Sequence, residues 1–384
     1  MAHSSSVAQD RIRNGDDKNR IVVHVDMDEF FIQVERHRKP TLLANTKKIA
    51  LHQHGDIICA SHEARAAGVY KHMSIAEVRQ RFPEVHVESV YTLREKASYE
   101  PYREASAKIL VGIAKYLKEQ SKSCGNAPFQ LEEASIDEMY IDATQLIKRK
   151  WGLIDDVDDT DDELSTPLSS SLNSQEVVPT DVASKLVAAT ELFCVELQDY
   201  VGLQLGYFCT VGVGRNRLIS KWAATAAKPR RIAVAITPAT ERGLLFATEV
   251  RRFPKWNDKK KVYLVDTMKC KHIVDVQSLA LYDLRSNLGT NDGTTVYWQS
   301  RGFDHGKDPE IRAKPPPQKI GAYMSLAVDE KRQVLACPSV HGSTGRLGTI
   351  LETLAMDMCE KVRVDALKYQ NRRPTRLSLR YMLV

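Results

Sequence analysis

Two groups of carboxylates stand at the ends of apolar, strand-like runs, and this placement constrains the chain more than any other feature. Asp26-Met27-Asp28 closes the run Ile21-Val22-Val23-His24-Val25, and Ser135-Ile136-Asp137-Glu138 opens the run Met139-Tyr140-Ile141. Runs of this composition fit strands of a buried sheet. Laid side by side, they bring Asp26, Asp137 and Glu138 to one sheet edge. Clustered carboxylates repel one another unless hard cations lie between them. Two Mg²⁺ ions about 3.5–4 Å apart are the usual clamp for an in-line phosphoryl displacement. The pattern points to nucleotidyl transfer. An Asp-x-Asp triplet by itself carries little weight: Asp156-Val157-Asp158 and Asp159-Thr160-Asp161 lie in a polar run that reads as a solvated loop. Asp26 and Asp28 differ in having an apolar run before them and Phe30-Phe31 after.

The chain has 384 residues, 43% hydrophobic and 27% charged, the balance of a soluble globular protein with room for several domains. No apolar stretch approaches the length of a membrane span, and residues 1–20 are polar and charged without a signal-peptide core. An intracellular protein with no membrane partner is expected. Seven widely scattered cysteines with no C-x-x-C pair argue against a disulfide framework and a zinc site. The net charge of +6 understates how basic the body is, because residues 155–163 carry seven acids and no base and the remainder stands at +13. That excess suits a polyanion such as nucleic acid. It equally suits a merely basic soluble protein, so charge supports the carboxylate pattern without replacing it.

Read for its elements, the chain starts with a polar leader, a strand near 21–27 and a helix from 28 to about 38 that Pro40 ends. Strands at 48–51 and 57–60 precede short helices near 62–68 and 74–82. A helical period covers 99 to about 118, and strands at 129–134 and 139–141 flank the acidic pair. Residues 148–179 are acidic, Ser-rich and short of core residues, so a surface insertion is expected there. A helix (180–200), a strand (207–213) and a helix (216–227) complete a β-α-β-β-α-β order, the ferredoxin-like arrangement of an α+β fold. A smaller helical region spans 234–305, and the run Arg312-Ala313-Lys314-Pro315-Pro316-Pro317 reads as an extended tether. The last part, 320–384, offers a helix (345–361) and a strand (375–382).

The chain resembles the Y-family DNA polymerases, most closely the eta branch. The resemblance lies in Asp26-Met27-Asp28-Glu29-Phe30-Phe31-Ile32-Gln33-Val34-Glu35, in Glu63-Ala64-Arg65-Ala66-Ala67-Gly68-Val69, in Tyr102-Arg103-Glu104-Ala105-Ser106 and in Ala134-Ser135-Ile136-Asp137-Glu138-Met139-Tyr140-Ile141-Asp142. Val211-Gly212-Val213-Gly214-Arg215-Asn216-Arg217 leading to Ala227-Lys228-Pro229 continues it. These stretches occur in family order over most of 20–235. Beyond them only Arg301-Gly302-Phe303-Asp304-His305 and Pro317-Gln318-Lys319-Ile320-Gly321 look like eta. The resemblance implies a right-hand layout: leader 1–20, palm 21–29 and 98–233, fingers 30–97, helical thumb 234–305, linker 306–319 and an α/β little finger 320–384. One clear helix after the tether, against the family's full sheet with two helices, leads to the expectation of an incomplete little finger. A sliding clamp would then be reached through a missing C-terminal region.

The same resemblance implies a function: DNA-directed DNA synthesis past damaged template bases, on primer–template DNA and deoxynucleoside triphosphates, in the nucleus. It implies Asp26, Asp137, Glu138 and the Met27 carbonyl as ligands of two Mg²⁺ ions, for which Mn²⁺ can substitute, with Asp28 behind them. Phe30 and Phe31 fall in the nucleotide pocket. Phe31 matches the steric gate against a ribose 2′-OH, a place where its own setting would also allow a core aromatic. Arg65 and Lys228 match triphosphate contacts, the first as a bidentate fork and the second as a point charge. Tyr102 and Arg103 match a palm helix beside the site. Three departures bear on lesion preference. His62 stands where the family usually has tyrosine, Lys71 replaces an arginine and cannot stack as a guanidinium does, and His52 falls near a template-contacting glutamine. The thumb's glycine hairpin is replaced by Pro254-Lys255-Trp256-Asn257-Asp258-Lys259-Lys260-Lys261, whose lysines are expected to meet DNA phosphates instead. Three other readings remain beside this one: another branch such as iota, kappa or Rev1, a catalytically silent DNA-binding scaffold, and a nucleotidyl cyclase with a similar palm.

Overall fold

The computed structural model describes residues 20–43, 45–93, 96–153, 180–254, 256–304, 311–313 and 346–368. The chain forms two compact units, one of residues 1–89 and 99–313 and one of residues 90–98 and 314–384.

The first unit opens with β1 (Val22–Met27), α1 (Phe30–Arg38) and the short α2 (Pro40–Leu43). Next come β2 (Ile49–Gln53), β3 (Asp56–Ala60), α3 (His62–Ala67), α4 (Ile75–Arg81) and β4 (His86–Ser89). The chain then enters the second unit as a hairpin of β5 (Thr92–Leu93) and β6 (Lys96–Ala97). Back in the first unit run α5 (Glu100–Ser123), β7 (Gln130–Glu133), β8 (Glu138–Asp142) and α6 (Thr144–Lys150). They are followed by α7 (Thr180–Leu205), β9 (Cys209–Gly214), α8 (Arg217–Ala227) and β10 (Ile232–Ala235). Five α-helices, α9 (Pro238–Ala247), α10 (Asp258–Val262), α11 (Ile273–Gln277), α12 (Leu281–Leu288) and α13 (Thr290–Ser300), follow, with a 3-10 turn at Val250–Arg252 and a π turn at Tyr263–Thr267. In the second unit α14 covers Arg346–Lys368.

The main sheet has the order β10-β9-β1-β8-β7. β1 pairs antiparallel with both β8 and β9, and β10 lies parallel to β9. Without β10 this is the ferredoxin-like order expected from β-α-β-β-α-β. Every residue of β1 is buried, as suits a central strand covered on both faces. Helix α8 lies directly on β9. A Cβ at Gly212 would come within 2.1 Å of Ala224 N and 2.2 Å of Ser220 O, so only glycine allows this approach. Asn216 caps the helix by accepting from Ile219 N at 2.9 Å.

Two further hydrophobic cores accompany the sheet. Sheet β3-β2-β4, with α3 and α4, closes over Ile57, Ala60, Ala64, Met73 and Val78. In the second, Leu218 and Trp222 of α8 share one core with Phe253, Trp256, Leu264, Ile273 and Val296 of the helical region. Trp222 meets Phe253 edge-on at 4.5 Å and donates from Nε1 to Thr248 Oγ1 at 2.7 Å.

The expected elements that fall on described residues are present with shifted ends, and some elements were not anticipated. β4, the β5–β6 hairpin and α6 went unread, and α6 takes 148–150 from the front of the expected insertion. β10 occupies 232–235, so the sheet extends past the expected start of the helical region at 234. The remainder of the insertion (154–179), the tether at 314–317 and the strand at 375–382 lie outside the described residues.

Candidate active site

β1 and β8 pair with Asp26 opposite Glu138, so the two carboxylates meet at the end of the sheet. Each faces an ammonium. Lys228 Nζ lies 2.8 Å from Asp26 Oδ2, and Lys221 Nζ donates to both Glu138 oxygens at 2.7 and 2.6 Å. Lys221 reaches across because Gly212 lets α8 sit against the sheet; Lys228 follows as the last residue before Pro229. Burial raises the Asp26 carboxyl above its ordinary range against the pull of Lys228. For Glu138 burial also favours the neutral form, but His24 and Lys221 prevail and hold it down at about 2.

His24 is the third member of this group. Its ring is fully buried, and Nε2 stops 3.8 Å from Glu138 Oε2. Donor atoms of His24, Asp26 and Glu138 all lie within 4.8 Å of one another.

The other expected ligands are placed differently. Asp137 Oδ1 accepts from the Ser135 hydroxyl at 2.6 Å, and its carbonyl accepts from Met27 N at 2.9 Å. Asp137 thus ties the β8 entrance to the end of β1, while its carboxylate stands outside the three-donor group. Asp28 is turned inward: it accepts from Thr210 Oγ1 at 2.9 and 3.0 Å and from Arg230 N at 3.0 Å. It locks β1 to β9 and to the turn beyond the cis Lys228–Pro229 bond.

At the start of α1, Phe30 is buried, while Phe31 is half-buried with its ring 4.6 Å from Tyr102 and 5.8 Å from Tyr99. Tyr102 is fixed in turn by donating to buried Glu35 at 2.5 Å. The His62 backbone N–H donates to Glu29, and its Nε2 lies 3.5 Å from Glu29 and 3.8 Å from Asp28. Its imidazole therefore faces carboxylates. Arg65 is exposed beside Cys59, whose buried thiol is pushed up to about 11 and also feels Glu29 and Asp137. Lys71 is exposed and His52 half-buried. Of the basic run, Lys260 pairs with Asp292 at 2.8 Å and Lys259 is exposed.

Sequence reasoning missed His24 and Lys221. His24 sits in an apolar run and counts there as a tolerated strand residue. Lys221 lies on an amphipathic helix, where a lysine ordinarily marks the solvent face. The available signal was spacing: His24 is two residues before Asp26 and so shares its face of β1.

The donor set fits divalent cations, since two carboxylates converge across strands and each already draws a positive charge. The profile of the impB/mucB/samB family matches residues 25–225, over half of the chain. The chain belongs to the Y-family of DNA polymerases. DNA polymerase eta of Arabidopsis thaliana is 26% identical over 320 residues, 79% of this chain and 46% of that protein. DNA polymerase iota of Homo sapiens is 22% identical over 344 residues, 89% of this chain and 42% of its own length. The chain thus spans less than half of these curated relatives. The crystal structure of DinB from Sulfolobus solfataricus superposes with a TM-score of 0.55 at 19% identity, over 77% of this chain and 70% of that one. It shares the Y-family α+β fold. No described helix is long and apolar enough to cross a membrane.

Proposed function

We propose that this chain is a template-dependent DNA polymerase of the translesion type, acting on primer–template DNA and deoxynucleoside triphosphates in the nucleus. The observation that carries this is the cross-strand pair Asp26–Glu138 with an ammonium on each carboxylate. Asp26 and Glu138 would hold divalent cations, Mg²⁺ by preference of oxygen donors, with Asp137 and the Met27 carbonyl completing the set. When bound, such ions activate the primer 3′-OH and neutralise charge on the leaving pyrophosphate.

The chain's own residues do the positioning. Lys228 and Lys221, the ammonium groups beside the two carboxylates, would meet triphosphate oxygens as point charges. Arg65 offers them a planar fork from the fingers side. Phe31, braced by Tyr102 and Tyr99, would stand against the sugar and exclude a 2′-OH by clash. Palm 21–29 and 98–233, fingers 30–97, thumb 234–305, linker 306–319 and little finger 320–384 is the layout that goes with this role. Resemblance to eta supports bypass of ultraviolet photoproducts, with Lys71 and His62 weakening it.

Primer extension on a templated duplex tests the function. Templated addition that needs Mg²⁺ and disappears with Asp26→Asn is expected. Normal DNA binding without any addition would make the chain a scaffold. Cyclisation of a nucleoside triphosphate without template would make it a cyclase. A thymine dimer in the same template, compared with an undamaged one, separates eta-like bypass from the behaviour of another branch.

A further inference from the structure

The geometry points to His24 as a nitrogen ligand for a divalent cation shared with Asp26 and Glu138, which tilts this site towards Mn²⁺ relative to Mg²⁺. This rests on reading the carboxylate pair as a polymerase's cation site.

His24 and Asp26 alternate on β1 and so project from the same face, while Glu138 stands opposite Asp26 on β8. The imidazole is fully buried, yet neither ring nitrogen has a hydrogen-bond partner. A buried polar group in that state is costly and asks for a partner. No carboxylate supplies one directly: 3.8 Å from Nε2 to Glu138 Oε2 is too long for a hydrogen bond, and both Glu138 oxygens already accept from Lys221. The group within 4.8 Å therefore has two oxygens and one nitrogen converging without touching. A six-coordinate ion with bonds of about 2.1 Å sets neighbouring donors about 3 Å apart, so the three close on it by small rotations. Lys221 is part-exposed on a flexible stem and gives way to the ion. An imidazole donor adds little for hard Mg²⁺, which favours water and oxygen, and more for the first-row transition ions.

The test uses the full chain, with binding of Mn²⁺ followed by loss of the free-ion paramagnetic resonance signal and Mg²⁺ measured by competition. Replacing histidine by leucine at this position (His24→Leu) should weaken Mn²⁺ binding by at least about tenfold while changing Mg²⁺ binding less than about threefold. Wild-type protein carrying ¹⁵N-histidine should show spin-echo modulation from a bound nitrogen on Mn²⁺, a reading that needs no variant to fold. Unchanged Mn²⁺ binding in a folded His24→Leu protein, or no ¹⁵N modulation, overturns the assignment. The wider reading fails differently. If Asp26→Asn leaves the binding of both ions unaltered, the carboxylates are not the cation site, and the His24 assignment falls with it. If Asp26→Asn abolishes binding and His24→Leu does not alter it, only the histidine is wrong.

Discussion

At the scale of single residues, the site is built from charges that the fold holds against their preference. Burial pushes Asp26 towards its neutral form, so Asp26→Asn should remove nucleotide addition and raise the thermal midpoint by about 2 °C. Melting curves set against extension assays check both halves, and a lowered midpoint would show that the Lys228 pair outweighs burial. Phe31 is asked only to block a sugar hydroxyl. Phe31→Ala should therefore admit ribonucleotides while deoxynucleotide insertion falls much less, read as rNTP against dNTP incorporation on one template. Unaltered sugar discrimination would return the ring to a packing role with Tyr99 and Tyr102. Asp26 and Glu138 were legible in the sequence because a carboxylate at a strand end stands out from its run. Asp28 was less so: only the structure shows it spent on Thr210 and Arg230. His24 was hidden, since a lone histidine among valines gives no sign of which groups lie across the sheet.

At the scale of elements, α8 and β9 set the electrostatics. With no Cβ at Gly212, the helix backbone rests on the strand and delivers Lys221 to Glu138. Gly212→Ala should cost about 1–3 kcal/mol by overpacking and displace that ammonium. A denaturant midpoint that stays at the wild-type value would contradict this close approach. Glu138 titrates near 2 in the folded chain against 4.5 ordinarily, so its stabilisation is full above about pH 4.5 and is lost as pH falls through about 2. Lys221→Met removes one cause of that depression. Its melting deficit against wild type should hold steady from neutrality to about pH 5 and close between about 4.5 and 2. A deficit independent of pH would mean that Lys221 acts through packing. The strands and long helices of this layer were readable from apolar period, including β1, β8, β9 and α8. β10 was not, because Ile232-Ala233-Val234-Ala235 is short and follows a basic run, and its partner β9 is identified only by the register across the sheet. α6 was lost for the opposite reason: Lys148, Arg149 and Lys150 share its last turn and look like the start of a polar loop.

At the scale of the whole molecule, the carboxylates are neutralised from within, so cations are not needed to hold the fold. A chelator should stop nucleotide addition and lower the melting midpoint by no more than about 2–4 °C, the mass-action share of a weakly held ion rather than the loss of the fold. A large drop on chelation would reveal a structural ion instead. The ferredoxin-like sheet was legible from element order. How the helical region joins it was not, since that depends on which face of α8 carries Trp222. This helix rests on β9 with one side and fills the core around Phe253 and Trp256 with another. One helix thus carries both a core residue of the region at 238–300 and the ammonium opposite Glu138. A substitution that repacks Trp222 therefore reaches the charge balance at the carboxylates through the same helix.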